Sequence, residues 1–230
     1  NGSLQFIVDT GAEETILDLK AAQKLGISLG SKERVRGVGG FSQAYRSGTL
    51  GLSCAGVSLR KSFLTLDLGP ASRKAGRRVD GLLGADFFRG RVVQLDYRAR
   101  RLRVLSSAST GGALVLPIRR NYGAMCVPVE VGAHKLAKVR IDTGSTGALH
   151  WCKAGATVGS SGSGSSIGFT GSSSSGTRNQ VRLGDRAFRG MKTTLHQRRL
   201  FPGEDGLLGN AIFKQFRVTI DMRNNRLLLH

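Results

Sequence analysis

Leu4-Gln5-Phe6-Ile7-Val8-Asp9-Thr10-Gly11-Ala12 opens the chain with an apolar run that ends in Asp-Thr-Gly. The same pattern returns at Lys138-Val139-Arg140-Ile141-Asp142-Thr143-Gly144-Ser145. Val, Ile and Phe suit a half-buried extended strand, and Thr-Gly after an aspartate suits a tight turn. One such turn is an ordinary Asx motif. Two copies with like flanks are a different matter.

Downstream the agreement continues. Val79-Asp80-Gly81-Leu82-Leu83-Gly84 is matched by Glu204-Asp205-Gly206-Leu207-Leu208-Gly209. Sixteen residues beyond Asp80 and Asp205 stand Asp96 and Asp221, each closing a β-rich run. Aligned without a gap, 80–104 and 205–229 share eleven identical residues. The chain reads as an internal duplication. Ser106-Ser107-Ala108-Ser109-Thr110-Gly111-Gly112 is small and polar, as a linker is. The division expected is therefore 1–107, a linker at 108–112, and 113–230. Only the second repeat carries an upstream alternating strand, Met125–Val131. The first opens inside the equivalent turn, at Asn1-Gly2, and reads as a processed or truncated end, its upstream strand expected either to have been cut away or to remain as a separate N-terminal strand or propeptide.

Bulk composition agrees with an all-β chain. Among 230 residues there are 33 Gly, 4 Pro and only 6% aromatics, which suits many tight turns. Strands are expected at 48–52, 57–66, 91–96, 101–105, 181–183, 191–195, 216–221 and 226–229. One helix is expected at 17–25, capped by Asp18 and stopped at Gly26. Short helical turns are expected after each Leu-Leu-Gly, at 85–88 and 210–213. No apolar run reaches 18 residues, so no transmembrane helix is expected.

The four landmarks, in order, resemble the pepsin/retropepsin superfamily of aspartic proteases. Asp9-Thr10-Gly11-Ala12-Glu13-Glu14-Thr15-Ile16-Leu17 is similar to the retroviral wording. Asp142-Thr143-Gly144-Ser145 is closer to the pepsin wording. The whole chain is most similar to a bacterial single-chain, duplicated retropepsin-like protease. The resemblance implies a bilobal all-β fold with a pseudo-two-fold axis, in which Asp9 and Asp142 meet at the floor of a cleft. It implies an endopeptidase that activates water between two carboxylates, with no metal, no cofactor and no need for a homodimer.

The resemblance also assigns the neighbours. Thr10 and Thr143 would brace the two loops against each other, and Gly11 and Gly144 would supply backbone donors. Ala12 and Ser145 break the symmetry: a Ser145 hydroxyl could donate to Asp142, favouring its ionised form. Leu82, Leu83, Gly84, Leu207, Leu208 and Gly209 would pack behind the loops. Gly37-Val38-Gly39-Gly40-Phe41 resembles a Gly-rich flap tip that folds over a peptide, and Ile167-Gly168-Phe169 occupies the corresponding place in the second repeat, within a Gly/Ser-rich stretch. Two departures are plain. No tyrosine stands at the flap tip, and Ala85 or Asn210 follows Leu-Leu-Gly where many retroviral enzymes have arginine.

Charge adds a second theme. Lys plus Arg number 35 against 15 Asp plus Glu, a formal net charge of +20. Clusters at Arg73–Arg78, Arg98–Arg103, Arg119-Arg120 and Arg198-Arg199 suit a solvated face, or contact with an anionic surface or nucleic acid. Zinc-finger, Walker and RNA-binding aromatic signatures are absent. Cys54, Cys126 and Cys152 lack metal-ligand spacing, and the four histidines are scattered. The alternative to an endopeptidase is a catalytically silent protein that binds peptides or polyanions on a protease-like scaffold. The odd cysteine and the processed-looking start favour a secreted, periplasmic or membrane-associated protein over a cytoplasmic one.

Overall fold

The computed structural model of this protein describes residues 2–37, 40–153 and 175–230. Strands dominate it, and the described residues pack as two compact units that part between Phe87 and Phe88. Val38, Gly39, Ile167, Gly168 and Phe169 lie outside the described residues.

The first unit contains β1 (Phe6–Val8), β2 (Ile16–Asp18), α1 (Leu19–Lys24), β3 (Leu29–Gly37), β4 (Gly40–Cys54), β5 (Val57–Leu66), α2 (Gly69–Ala75), β6 (Gly81–Leu83) and the turn α3 (Ala85–Phe88). Its six strands form one sheet in the order β1-β6-β2-β5-β4-β3. β1 lies parallel to β6, with Phe6 opposite Gly81 and Val8 opposite Leu83. A Cβ on Gly81 would sit 2.3 Å from the Phe6 ring, so this close crossing admits only glycine. One apolar cluster centres on Leu64, Leu66, Leu68 and Leu82, another on Leu17, Ala22 and Phe63.

The helix begins two residues later than the 17–25 expectation. Leu17 is held in β2 by pairing with Thr65 and Gly81, and sheet contacts override helical spacing there. Asp18 is the cap: its Oδ2 accepts the Ala21 N–H at 3.1 Å and its Oδ1 the Leu68 N–H at 2.8 Å. The second helix, α2, was not anticipated, although Pro70 in its first turn and Gly76 at φ +62° just beyond it are the usual boundary residues.

The second unit contains β7 (Val92–Asp96), β8 (Arg101–Leu105), β9 (Leu114–Pro117), β10 (Arg119–Asn121), β11 (Ala124–Val131), β12 (His134–Ile141), β13 (Leu149–Cys152), β14 (Ser175–Leu183), β15 (Arg186–His196), β16 (Gly206–Leu208), the turn α4 (Asn210–Phe213), β17 (Arg217–Asp221) and β18 (Arg226–Leu229). β11 pairs with β12 on one side and, through Glu130 and Val131, with β14 on the other. β11-β12-β16-β13-β15-β14 thereby closes into a six-strand barrel, with β10 added outside β11. Val127, Val129, Val131, Val139, Ile141, Val181 and Leu183 are all buried in it.

A separate five-strand sheet of order β8-β7-β17-β18-β9 completes this unit. In sequence the β7–β8 hairpin belongs to the first repeat, whereas by pairing with β17 it packs with the second. Cutting by repeat at 107–113 and cutting by packing at 87–88 are thus different divisions.

Candidate active site

Each Asp-Thr-Gly loop is built by a strand that ends beside a Gly-Leu-Leu strand. In the first unit the Asp9 N–H donates to the Leu83 carbonyl at 2.9 Å, fixing the aspartate at the mouth of the β1–β6 pair. The chain then turns: Gly11 N–H reaches Asp9 Oδ1 at 3.0 Å and Ala12 N–H reaches the Asp9 carbonyl at 3.2 Å. Ala85 N–H donates to the Ala12 carbonyl at 2.8 Å, so the turn α3 holds the far side of the loop.

The second unit repeats this geometry bond for bond. Asp142 N–H meets the Leu208 carbonyl at 2.9 Å, Gly144 N–H meets Asp142 Oδ1 at 2.9 Å, and Asn210 N–H meets the Ser145 carbonyl at 2.9 Å. Leu82, Leu83, Leu207 and Leu208, which precede Gly84 and Gly209, are all buried. The glycine after each pair has no alternative: a Cβ on Gly84 would lie 2.3 Å from the Glu14 carbonyl carbon, and one on Gly209 would lie 2.6 Å from the Gly147 oxygen. Thr10 and Thr143 are buried beside their aspartates.

The loops differ in that Ala12 of the first corresponds to Ser145 of the second. Asp142 Oδ1 accepts a second N–H, that of Ser145 at 3.1 Å. That donor is the Ser145 backbone amide, which the turn itself aims at the carboxylate.

Supporting residues that carry no motif appear around each loop. Glu14, five residues past Asp9, is gripped by both Arg46 Nη atoms at 2.8 Å, while Arg46 Nε donates to Glu33 at 2.9 Å. These two carboxylates hold the Arg46 guanidinium well above its ordinary pKa. Arg46 on β4 thus ties the β3–β4 hairpin to the first loop. That hairpin pairs up to Gly37 opposite Gly40, and beside its end Phe41 is exposed with the Arg34 guanidinium 4.5 Å from its ring centre. Thr15 Oγ1 accepts from Gly84 N–H at 3.2 Å and donates to Asp86 at 2.7 Å, and Asp86 is also paired with Lys61.

In the second unit Asn210 does comparable work. Its Nδ2 donates to the Thr143 carbonyl at 2.6 Å and its Oδ1 accepts the Tyr97 hydroxyl at 2.7 Å. Burial raises the Tyr97 phenol above its ordinary range, so it stays a donor. The arginine missing after Leu-Leu-Gly is therefore replaced here by an amide that braces the loop directly.

Histidines far apart in sequence also meet. His150 Nδ1 and His196 Nε2 are 3.2 Å apart, and a Cβ on Gly147 would come within 2.9 Å of His150 Nε2. Among the described residues no group of three metal-binding side chains occurs. Cys126 is pushed up to about 12 by burial and by Glu204, and burial also raises Cys152. Neither is an activated thiol.

Residues 1–87, the first compact unit up to its boundary, match the family model described as aspartyl protease. No curated protein matches the chain. The likeness to an aspartyl protease is thus one of family level and covers residues 1–87 of the 230.

Proposed function

We propose that the chain is an aspartic endopeptidase carrying both halves of its active site on one polypeptide, with Asp9 and Asp142 as the catalytic pair. The observation that carries this reading is the recurrence of one hydrogen-bonded loop around two aspartates, each backed by Gly-Leu-Leu-Gly. A duplicated, bilobal arrangement with repeats 1–107 and 113–230 accounts for both copies.

Two carboxylates about 3 Å apart share one proton, as aspartic proteases do. The ionised member takes a proton from water, whose oxygen attacks the scissile carbonyl carbon. The protonated member hydrogen-bonds the carbonyl oxygen, and a proton is then delivered to the departing amine. Asp142, with its extra N–H donor, suits the ionised role. Thr10 and Thr143 would hold the loops in register across the pair. The β3–β4 hairpin suits a flap: an extended peptide beneath it would bond through its backbone and place alternate side chains in pockets.

A diverse peptide mixture incubated with the protein from pH 3 to 8 tests this reading, with the products sequenced. Cleavage within extended segments is expected. Absence of cleavage by folded protein would favour the silent binding scaffold instead. That second reading has one observation behind it. Arg101, Arg103 and Arg217 are exposed on one face of the five-strand sheet, which suits a polyanion.

A further inference from the structure

Tyr97 follows β7 in the turn to β8, which the Asp96 carboxylate fixes by accepting the Ala99 N–H at 2.8 Å. Its hydroxyl donates to Asn210 Oδ1 at 2.7 Å. Asn210 opens α4 and holds the Asp142 loop at two points. Its backbone N–H donates to the Ser145 carbonyl at 2.9 Å, and its Nδ2 donates to the Thr143 carbonyl at 2.6 Å. Gly144, whose N–H bonds Asp142 Oδ1, lies between those two carbonyls.

The amide of Asn210 is committed at both ends. A carbonyl only accepts, so Asn210 must present Nδ2 to Thr143. Its Oδ1 then faces away from the loop and requires a donor, which the Tyr97 hydroxyl supplies. Burial holds the Tyr97 phenol above its ordinary range, so the proton stays on the oxygen. Anchored at both ends, the amide cannot turn about its terminal torsion. With the hydroxyl removed it can turn, and Nδ2 leaves the loop.

The first repeat shows what this brace adds. When 80–104 is aligned with 205–229, Ala85 stands in the place of Asn210 and Met222 in the place of Tyr97. Ala85 makes the backbone bond, to the Ala12 carbonyl at 2.8 Å, and has no side-chain donor to add. Met222 is buried and carries no hydroxyl. The Tyr97–Asn210 pair therefore serves the Asp142 loop alone. It also crosses the duplication, because Tyr97 belongs to the first repeat and stands 113 residues from Asn210.

We infer that Tyr97 is a positioning residue: through the Asn210 amide its hydroxyl fixes the loop that carries Asp142. The effect on turnover rests on the endopeptidase reading, whereas the effect on the loop rests on the bonds themselves. Misplacing a carboxylate weakens the transition state more than it weakens peptide binding, so the effect falls on kcat.

The test uses Y97F, N210A and their double variant, each as the full chain, in two measurements. In amide exchange, Y97F should speed Gly144 and Ser145 roughly tenfold and leave Gly11, the matching amide of the first loop, unchanged. On one peptide substrate, Y97F should lower kcat roughly tenfold with KM nearly constant, and the double variant should match N210A. N210D adds a pH readout, since a protonated carboxyl can donate to Thr143 and an ionised one cannot. Relative to wild type at each pH, its kcat should recover as pH falls. Equal exchange at Gly11 and Gly144, additive losses in the double variant, wild-type kinetics in Y97F, or a pH-independent N210D loss would each overturn the inference. If the wild-type protein cleaves nothing, the endopeptidase reading fails by itself, and the exchange comparison still decides whether Tyr97 holds the loop.

Discussion

Arg140 and Glu204 form a two-pronged ion pair inside the second unit, Nη2 to Oε1 at 2.6 Å and Nε to Oε2 at 2.7 Å, with both side chains at most 3% exposed. Arg140 also lies 3.9 Å from the Phe201 ring centre, and Asn121 donates to the same Glu204 carboxylate. The first repeat has Ile7 and Val79 at these two places. An apolar pair and a buried ion pair therefore solve the same packing problem two residues before Asp9 and Asp142.

That relationship yields a double-mutant prediction. E204Q leaves the Arg140 charge buried without its counter-ion and should cost about 3–5 kcal/mol in urea unfolding. R140I combined with E204V, the first repeat's own choice, should cost far less than either single change. A double variant as unstable as E204Q would show that the pair contributes more than mutual neutralisation.

The glycines behind the loops give a sharper contrast. G84A and G209A drive a methyl group into backbone atoms of the loops they support, so each should cost about 1–3 kcal/mol and depress peptide turnover. G51A, where a Cβ meets nothing within 4 Å, serves as the control and should change neither. Parallel denaturant melts and turnover assays on the three variants check this.

How much of this was legible in the sequence depends on the kind of interaction involved. The strand-loop-strand frame was readable because backbone geometry repeats in residue types: Asp-Thr-Gly at the turn, Gly-Leu-Leu-Gly behind it. Strands 57–66, 101–105 and 226–229 and both four-residue turns fall at their expected bounds. The helix expected from Leu17 starts at Leu19, because Leu17 pairs on both sides in a sheet and local spacing carries no record of that. Arg46, Asn210 and the His150–His196 contact were not legible at all. Each acts across 32, 67 or 46 residues, and an arginine among 35 basic side chains announces no partner.

Arg46 can be tested by its reach. R46M releases Glu14 and Glu33 together, and because all three groups are about one-third exposed the cost should be modest, about 1–2 kcal/mol. Exchange of β3–β4 hairpin amides should rise more than that of β6. R46K, which cannot grip Glu14 with two donors, should restore only part of the protection. Uniform loosening of the whole unit would contradict the tie.

His196 sets an acid-side limit on the second unit. Burial lowers its pKa below the ordinary value of about 6.5, so the folded chain keeps it neutral while the unfolded chain protonates. The stability it contributes is complete above that ordinary value and falls as pH drops toward the folded one. H196N should flatten the stability–pH curve in this window, measured by urea melts between pH 5 and 8. An unchanged slope would show that His196 does not titrate in unfolding.

The most direct test of the catalytic pair compares kcat/KM for wild type, D9N, D142N and the double variant on one peptide substrate. Because two aspartates that share one proton act as a unit, each single change should lose nearly as much activity as both together. A single variant that keeps wild-type turnover would contradict the shared dyad and with it the account of this chain as a one-polypeptide aspartic endopeptidase.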